Sequence, residues 1–420
     1  MRKTVLAVDI GTSSLKAALI DSAGLILAHS RYRFPQEERT AAHWISAFEN
    51  VVKTIQTDAK KNLFSAIPDA ISISGNGPTL VSVDSFGNPG PILLWNSPVE
   101  PIPGKSLFIP RIKAYQSRYP EIFSKAQYLI SGPEFLIWYL TGNAITILPD
   151  PRYESAYWTV EELNNAGLTS SILPPFIQSG VVAGKTTNLQ ILPKGIPVAT
   201  CGPDFTAALI GTNTLTEGTA CDRAGTSEGL NICTKARVTS PQILTLPAAV
   251  PSLWNASYII SDTGAQFHAW RKATGQSNKS YPEIMKAIAA SPIHSKNGDD
   301  ENNGRAIVED IGFSVRTGIE CVNAATGYKP SYKLSGGQAR NHIWNQMKAD
   351  ITGATFILTK IADGELMGDA ITGFVALGEF SSITEAAQTL VKEERIYEPD
   401  PVLANIYTEK YAEYAHLHHS

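Results

Sequence analysis

Near the start of this 420-residue chain an apolar run, Val5-Leu6-Ala7-Val8, stops at Asp9 and is followed by Gly11-Thr12-Ser13-Ser14. A second run, Leu15-Lys16-Ala17-Ala18-Leu19-Ile20, returns from that turn, and a third, Leu25-Ile26-Leu27-Ala28, follows Asp21-Ser22-Ala23-Gly24. Continuous apolar character, as in the first run, marks a strand covered on both faces. Links this short make the three segments antiparallel neighbours. The chain is therefore expected to build a sheet that helices must cover.

The covering helices are visible too. Trp44, Phe48, Val51, Val52, Ile55 and Ala59 recur at three- and four-residue steps, which predicts an amphipathic helix. Strands are expected at Ala70–Ser74, Leu80–Val83 and Ile92–Trp95. Residues 96–150 read as Pro-rich and irregular apart from a helix over Glu134–Leu140. A strand at Ile196–Thr200 leads through Cys201-Gly202-Pro203-Asp204 into a small-residue helix, and 235–250 reads as a connector. Asn297–Gly304 reads as a polar exposed loop. Ile307, Ile311, Val315, Ile319 and Val322 make a helical stripe, before a strand at Tyr332–Leu334, a Gly336-Gly337 turn and a further helix. The pattern is mixed α/β, and the length predicts two or three domains or two lobes around a cleft.

Charge narrows the partners. Lys+Arg 35 against Asp+Glu 39 leaves a net −4, so no basic field attracts nucleic acid or an anionic membrane. Asp9 breaks the first apolar run too early for a signal peptide, and no window is long enough to span a bilayer. Cys201, Cys221, Cys233 and Cys321 show no zinc spacing and read as reduced, buried thiols. A cytoplasmic location is the expectation. The histidine-rich tail at 416–419 reads as a solvated terminus, and Tyr407, Tyr411 and Tyr414 as a packed stripe.

Chemistry is offered by three glycine turns and one aspartate. In the first turn Gly11 admits a close backbone approach, Thr12 and Ser13 offer donors, and Asp9 at the strand end suits Mg²⁺ held through water. An ordinary hairpin, with Asp9 and Thr12 bonding the turn, accounts for the same residues. The second turn, Gly225-Thr226-Ser227, repeats the signature, although common residues also recur by chance. The third, Leu334-Ser335-Gly336-Gly337, joins a strand to a helix, suiting a flat ring or an anion, or simply a tight turn. Asp204 stands one residue before a helix, where an N-cap is the plainer alternative.

Their order resembles the FGGY family of carbohydrate kinases, within the actin/hexokinase/heat-shock ATPase superfamily. Asp9–Ala17 resembles the first phosphate loop, Gly202–Gly211 continuing to Gly225-Thr226-Ser227 the second, and Leu334–Gly353 the adenosine segment. Smaller likenesses include Ile92–Asn96 and Tyr139–Gly142, and xylulokinase-like members are the nearest in character. The resemblance implies two actin-like (ribonuclease H-like) lobes, each a mixed sheet flanked by helices around a central cleft. It places the sugar site, first phosphate loop and catalytic Asp in 1–236, and the adenosine segment in a shortened lobe, 237–420. It implies ATP and Mg²⁺ as cofactors, with Asp204 as general base and also at the substrate, and Asp9 as metal residue. Gly11, Thr12, Ser13, Lys16, Gly225 and Thr226 would hold phosphates; Gly336, Gly337 and Asn341 would line adenine and ribose. Lys16 serves equally as a charge at a strand edge. The substrate is a small sugar or polyol, and a homodimer is left open.

The sugar side departs from the family. Asn76 and Gly77 stand where a Gln with His or Met is usual, and Trp95-Asn96 lacks the acidic and Arg residues that normally follow. A Gly-Glu-Arg segment expected between Met285 and Arg305 is missing, and Asp369 replaces a small residue. Asn76, Gly77 and Trp95 remain the candidate sugar contacts. A nucleotide-binding relative without kinase activity, acting as sensor or scaffold, is the alternative.

Overall fold

The computed structural model describes residues 2–35, 39–62, 64–104, 106–187, 189–225, 227–293 and 300–418. The chain forms two compact units. One is Met1–Gly211 with Ala249–Pro251 and Glu365–Leu390; the other is Thr212–Ala248, Ser252–Gly364 and Val391–Ser420. Beside the expected ranges 1–236 and 237–420, three segments change sides: 212–236 packs with the second unit, and 249–251 and 365–390 with the first.

In the first unit the opening residues form β1 (Thr4–Ile10), β2 (Ser14–Asp21) and β3 (Ile26–Arg33), as their turns require. β4 (Ala70–Gly75) pairs parallel with β1. A three-stranded sheet contains β5 (Leu80–Asp84), β6 (Pro89–Leu93) and β7 (Ala126–Ile130). β8 (Thr146–Leu148) and β9 (Phe176–Gln178) form a small parallel pair. β10 (Val182–Lys185) and β11 (Pro197–Pro203) complete the main sheet, whose order is β10-β11-β4-β1-β2-β3. The helix Ala41–Lys61 buries Trp44, Phe48, Val51, Val52 and Ile55 against it.

Residues 96–150 are more regular than expected. Besides Gly132–Thr141 they contain helices Ile109–Arg118 and Pro120–Lys125 as well as β7. Pro110, Pro120 and Pro133 stand in the first turns of these helices, where no intrahelical N–H bond is lost, while Pro98, Pro101 and Pro103 lie in the irregular stretch before them.

The second unit has a seven-stranded sheet. Its strands are β12 (Ala220–Ala224), β13 (Glu228–Thr234), β14 (Leu244–Pro247), β15 (Trp254–Ile260), β16 (Tyr332–Ser335), β17 (Phe356–Thr359) and β18 (Glu393–Tyr397). The order is β14-β15-β13-β12-β16-β17-β18, so the expected connector 235–250 supplies an edge strand. Asp300–Thr326 is one helix, and the polar loop expected through Gly304 is helical from Asp300; residues 297–299 lie outside the described residues. Val315, Ile319 and Val322 pack under the sheet. Tyr407, Tyr411 and Tyr414 pack around Phe313, as the helical spacing predicted. Cys201, Cys221 and Cys233 are buried free thiols; Cys321 is only half-buried. Among the described residues no helix is long and apolar enough to cross a membrane.

Candidate active site

In the first unit β11, β4 and β1 are parallel neighbours, so their carboxyl ends open on one edge. Such edges are where α/β sheets bind ligands. Asp9 pairs in register with Ser74, and Ser74 with Gly202, so Asp9, Asn76 and Asp204 emerge from adjacent strand ends. The sequence predicted these three from separate segments, and the sheet brings them together.

Asp9 is 3% exposed, and its Oδ1 has no hydrogen-bond partner. Lys16, directly opposite on β2, places Nζ 3.1 Å from Asp9 Oδ2 and 3.8 Å from Glu365 Oε2. Burial pushes the Asp9 carboxyl up to about 7 against the pull of Lys16, with Glu365 and Asp204 adding to the rise. A buried carboxylate oxygen left over at a strand end fits Mg²⁺, which takes one or two carboxylates and keeps its waters. Among the described residues no group of three or more His, Cys, Asp or Glu could hold a metal ion by itself.

The first turn is closed by the Gly11 N–H donating to Ser14 O at 2.9 Å, so that amide is used internally. Ser13 is exposed. Thr12 is a hub: its Oγ1 accepts from Asn76 Nδ2 at 3.1 Å and from Trp95 Nε1 at 2.8 Å. Thr79 closes the ring, donating to Asn76 Oδ1 at 3.2 Å and accepting from the Trp95 N–H at 3.1 Å. With both acceptor positions filled, the Thr12 hydroxyl directs its proton outward. Gly77 faces open space, since a Cβ there would meet nothing within 4 Å. Arg39 donates to the Thr12 carbonyl.

Asp204 opens the helix Asp204–Gly211, and its Oδ1 accepts the Phe205 N–H at 2.7 Å. Its carboxylate is half-buried and thus accessible to a ligand. The helix Gly364–Ala376 returns against this edge. A Cβ on Gly368 would stand 2.0 Å from the Ala207 carbonyl, and one on Gly373 2.6 Å from Val5, so both glycines permit close packing. That approach delivers Glu365 to Lys16, and Asp369, fully buried, to Ser74, whose Oγ donates to Oδ2 at 2.9 Å. Burial, with the Asp9 charge second, holds the Asp369 carboxyl well above the ordinary range.

In the second unit β12 and β13 form the hairpin whose turn carries Gly225 and Ser227; Thr226 lies outside the described residues. β16 runs parallel to β12 and delivers Gly336 to the same end. Gly336 has φ +96°, and a Cβ there would stand 2.3 Å from the Ala224 carbonyl, so only glycine fits. Gly337 faces open space, and Gln338 Nε2 donates to Gly225 O at 3.1 Å. The second and third glycine turns are therefore one site. Gly337–Arg340 is a 3-10 turn, so the helix begins only at His342; Asn341 caps it, its Oδ1 accepting the Trp344 N–H at 3.0 Å. The buried Asn341 Nδ2 has no partner. A groove of about 740 Å³ lined by Glu217, Lys235, Arg237 and Cys321 lies at the other end of β13 and holds none of these residues.

Thr79, Arg39 and Glu365 were not foreseen. Thr79 and Arg39 stand in no motif, and Glu365 reaches Lys16 across 349 positions of chain, as 365 − 16 shows.

Residues 281–377 match the FGGY family of carbohydrate kinases, C-terminal domain. A xylulose kinase of Staphylococcus epidermidis is 24% identical over 482 aligned positions, covering 99% of this chain and 96% of that protein. The crystal structure of a gluconate kinase from Lactobacillus acidophilus superimposes with a TM-score of 0.81 at 16% identity, covering 99% of this chain and 98% of the other. A xylulose kinase from Rhodospirillum rubrum superimposes at 0.78 with 17% identity and the same coverage. These structures share the two-lobed, actin-like α/β fold that the family resemblance implied.

Proposed function

The chain belongs to the FGGY family of carbohydrate kinases, and we propose that it transfers the γ-phosphoryl group of ATP to a hydroxyl of a small sugar, a ketose such as a pentulose, or a polyol. The observation that carries this reading is the convergence of Asp9, Asn76 and Asp204 on the carboxyl edge of three parallel strands. In this assignment the first unit binds the acceptor and the second the adenosine.

Asp204 is the general base. The Phe205 N–H holds its carboxylate in one orientation, and the carboxylate accepts the proton as the acceptor oxygen forms its bond to phosphorus. The bond from phosphorus to the ADP oxygen breaks in line with that attack, and its electron pair leaves with ADP. Asp9 would hold Mg²⁺, which when bound would supply positive charge against the phosphate oxygens. Lys16 keeps Asp9 Oδ2 in place, and the unpartnered Oδ1 would be free to hold the cation. Thr12 donates its hydroxyl proton to the phosphoryl or sugar oxygen, while Asn76 and Trp95 fix it. Gly336 and Gly337 leave room for the adenine ring, and the Asn341 amide offers a buried donor to the nucleoside.

The test is an ATP-consumption screen over ketoses, polyols and aldonic acids, repeated with Asp204→Asn. Loss of a general base costs about 10²–10⁴-fold in kcat. An Asp204→Asn variant that phosphorylates at the parent's rate removes Asp204 from the mechanism.

A further inference from the structure

Three charged side chains lie buried beneath the second unit's turns. Lys348, on the helix His342–Thr352, is 1% exposed, and its Nζ stands 2.6 Å from Asp222 Oδ2 and 2.6 Å from Glu228 Oε1. Asp222 is 0% and Glu228 1% exposed. The β12–β13 register sets Ala224 opposite Glu228 and Asp222 opposite Leu230, so the two carboxylates share one face of the hairpin. They are the two feet of the Gly225–Ser227 turn. We propose that Lys348 is a positioning residue for nucleotide binding, tying both feet of this turn to the helix that follows Gly336-Gly337.

Stability alone does not explain the arrangement. Replacing a buried ionic triad by apolar groups is often neutral or stabilising, because desolvation offsets the attraction between the charges. The triad also leaves Asp222 Oδ1 and Glu228 Oε2 without hydrogen-bond partners. What three charges do, and an apolar cluster does not, is set distance and direction. The Trp344 and Phe356 rings lie 5.3 and 5.6 Å from Nζ and keep the pair interactions in a low-dielectric setting. Without the ammonium the two buried carboxyls would share a proton, and the hairpin would lose its tie to the helix.

The tie also joins the helix to the second foot, Glu228, which otherwise pairs with Ala224 of β12 and Ile260 of β15. Gly336 packs on Ala224 and Gln338 binds Gly225, both on the first foot. Among the described side chains on the Gly336–Gly353 segment, Lys348 bonds the second foot, Glu228. It thus fixes the phosphate turn against the segment assigned to adenosine. The inference rests on the nucleotide reading of these turns.

The experiment compares the full-length parent with the neutral triple variant D222N/E228Q/K348M. Three readouts are taken: melting temperature, equilibrium binding of AMP-PNP with Mg²⁺, and hydrogen exchange of the amides at 224–229. The expected result is a melting temperature within a few degrees of the parent, at least tenfold weaker nucleotide binding, and at least tenfold faster exchange. Parent-like affinity and exchange in the triple variant overturn the proposal, since the triad would then only balance buried charge. Weaker binding with parent-like exchange overturns it as well, because altered charge explains that result without movement of the turn. If exchange accelerates while neither protein binds AMP-PNP, the tie stands and the nucleotide reading fails.

Discussion

Lys16 and Lys348 each face two carboxylates beneath a glycine turn, one in each unit, yet the two groups are finished differently. Lys348 is fully enclosed, and 2.6 Å contacts saturate it on both sides. Lys16 keeps 15% of its side chain exposed, contacts Asp9 at 3.1 Å and Glu365 only at 3.8 Å, and leaves Asp9 Oδ1 without a partner. One arrangement is closed and suits a scaffold. The other retains an unpartnered buried oxygen beside a partly exposed lysine, the feature on which the proposed Mg²⁺ role of Asp9 rests. Unpartnered carboxylate oxygens occur in both groups, at Asp222 Oδ1 and Glu228 Oε2 as at Asp9 Oδ1, so neither buried charge nor an unused lone pair separates them. Access does, since Lys16 stays partly exposed and Asp204 near Asp9 is half-buried.

The largest break in this comparison is expected from Asp9→Asn. Under the proposed Mg²⁺ role of Asp9, kcat should fall about 10²–10³-fold, the range for losing one electrostatic contact to the reacting group. Steady-state kinetics across an Mg²⁺ titration check this, and a variant within threefold of the parent would assign Asp9 a purely structural role.

Glu134 shows a third way to bury a carboxyl, held by backbone N–H groups and, among the described residues, by no ion pair. It is 3% exposed and accepts the Ser131 and Ile147 N–H groups at 2.8 and 2.7 Å, yet burial pushes it up to about 7. Its folded value lies above the unfolded 4.5, so the folded state holds the extra proton between the two. Its contribution to stability is complete below 4.5 and is lost as pH rises through 7. Glu134→Gln should remove that slope. The parent's stability advantage over the variant should shrink by about 3 kcal/mol from pH 4.5 to 8, measured by urea unfolding. An unchanged difference would mean that the two N–H groups keep Glu134 ionised throughout.

A smaller effect sharpens the closed group. Gly336→Ala places a Cβ against the Ala224 carbonyl at a φ of +96°, with strain of order 1–3 kcal/mol. Nucleotide binding should weaken about tenfold while KM for the sugar stays unchanged. Titration with AMP-PNP and acceptor kinetics separate the two. The smallest change is expected from Trp95→Phe, which removes one donor to Thr12, worth about 1 kcal/mol. The sugar KM should rise several-fold with kcat little altered, and equal losses in both would place Trp95 at the transition state instead.

Much of this protein was legible locally. The apolar run Val5–Val8, the returning segment to Ile20 and the stripe from Trp44 to Ile55 became β1, β2 and the covering helix, because period and turn length act over a few residues. Asp9 and Asp204 stood out as acids at element ends, and they emerge at the ends of β1 and β11. Less legible were Pro-containing helix starts in 96–150 and the helix beginning at Asp300, where polar residues resemble a loop. The return of 365–390 to the first unit had no local sign.

By itself the amino-acid sequence determined the elements, their order and the three glycine turns, since those depend on neighbours along the chain. Only the tertiary structure decided which charges meet. Lys16 with Glu365, Ser74 with Asp369, and Lys348 with Asp222 are each separated by more than one hundred residues. The cost or use of a buried charge is set by whatever else is packed within a few ångströms, and sheet order, rather than spacing in the chain, supplies those neighbours.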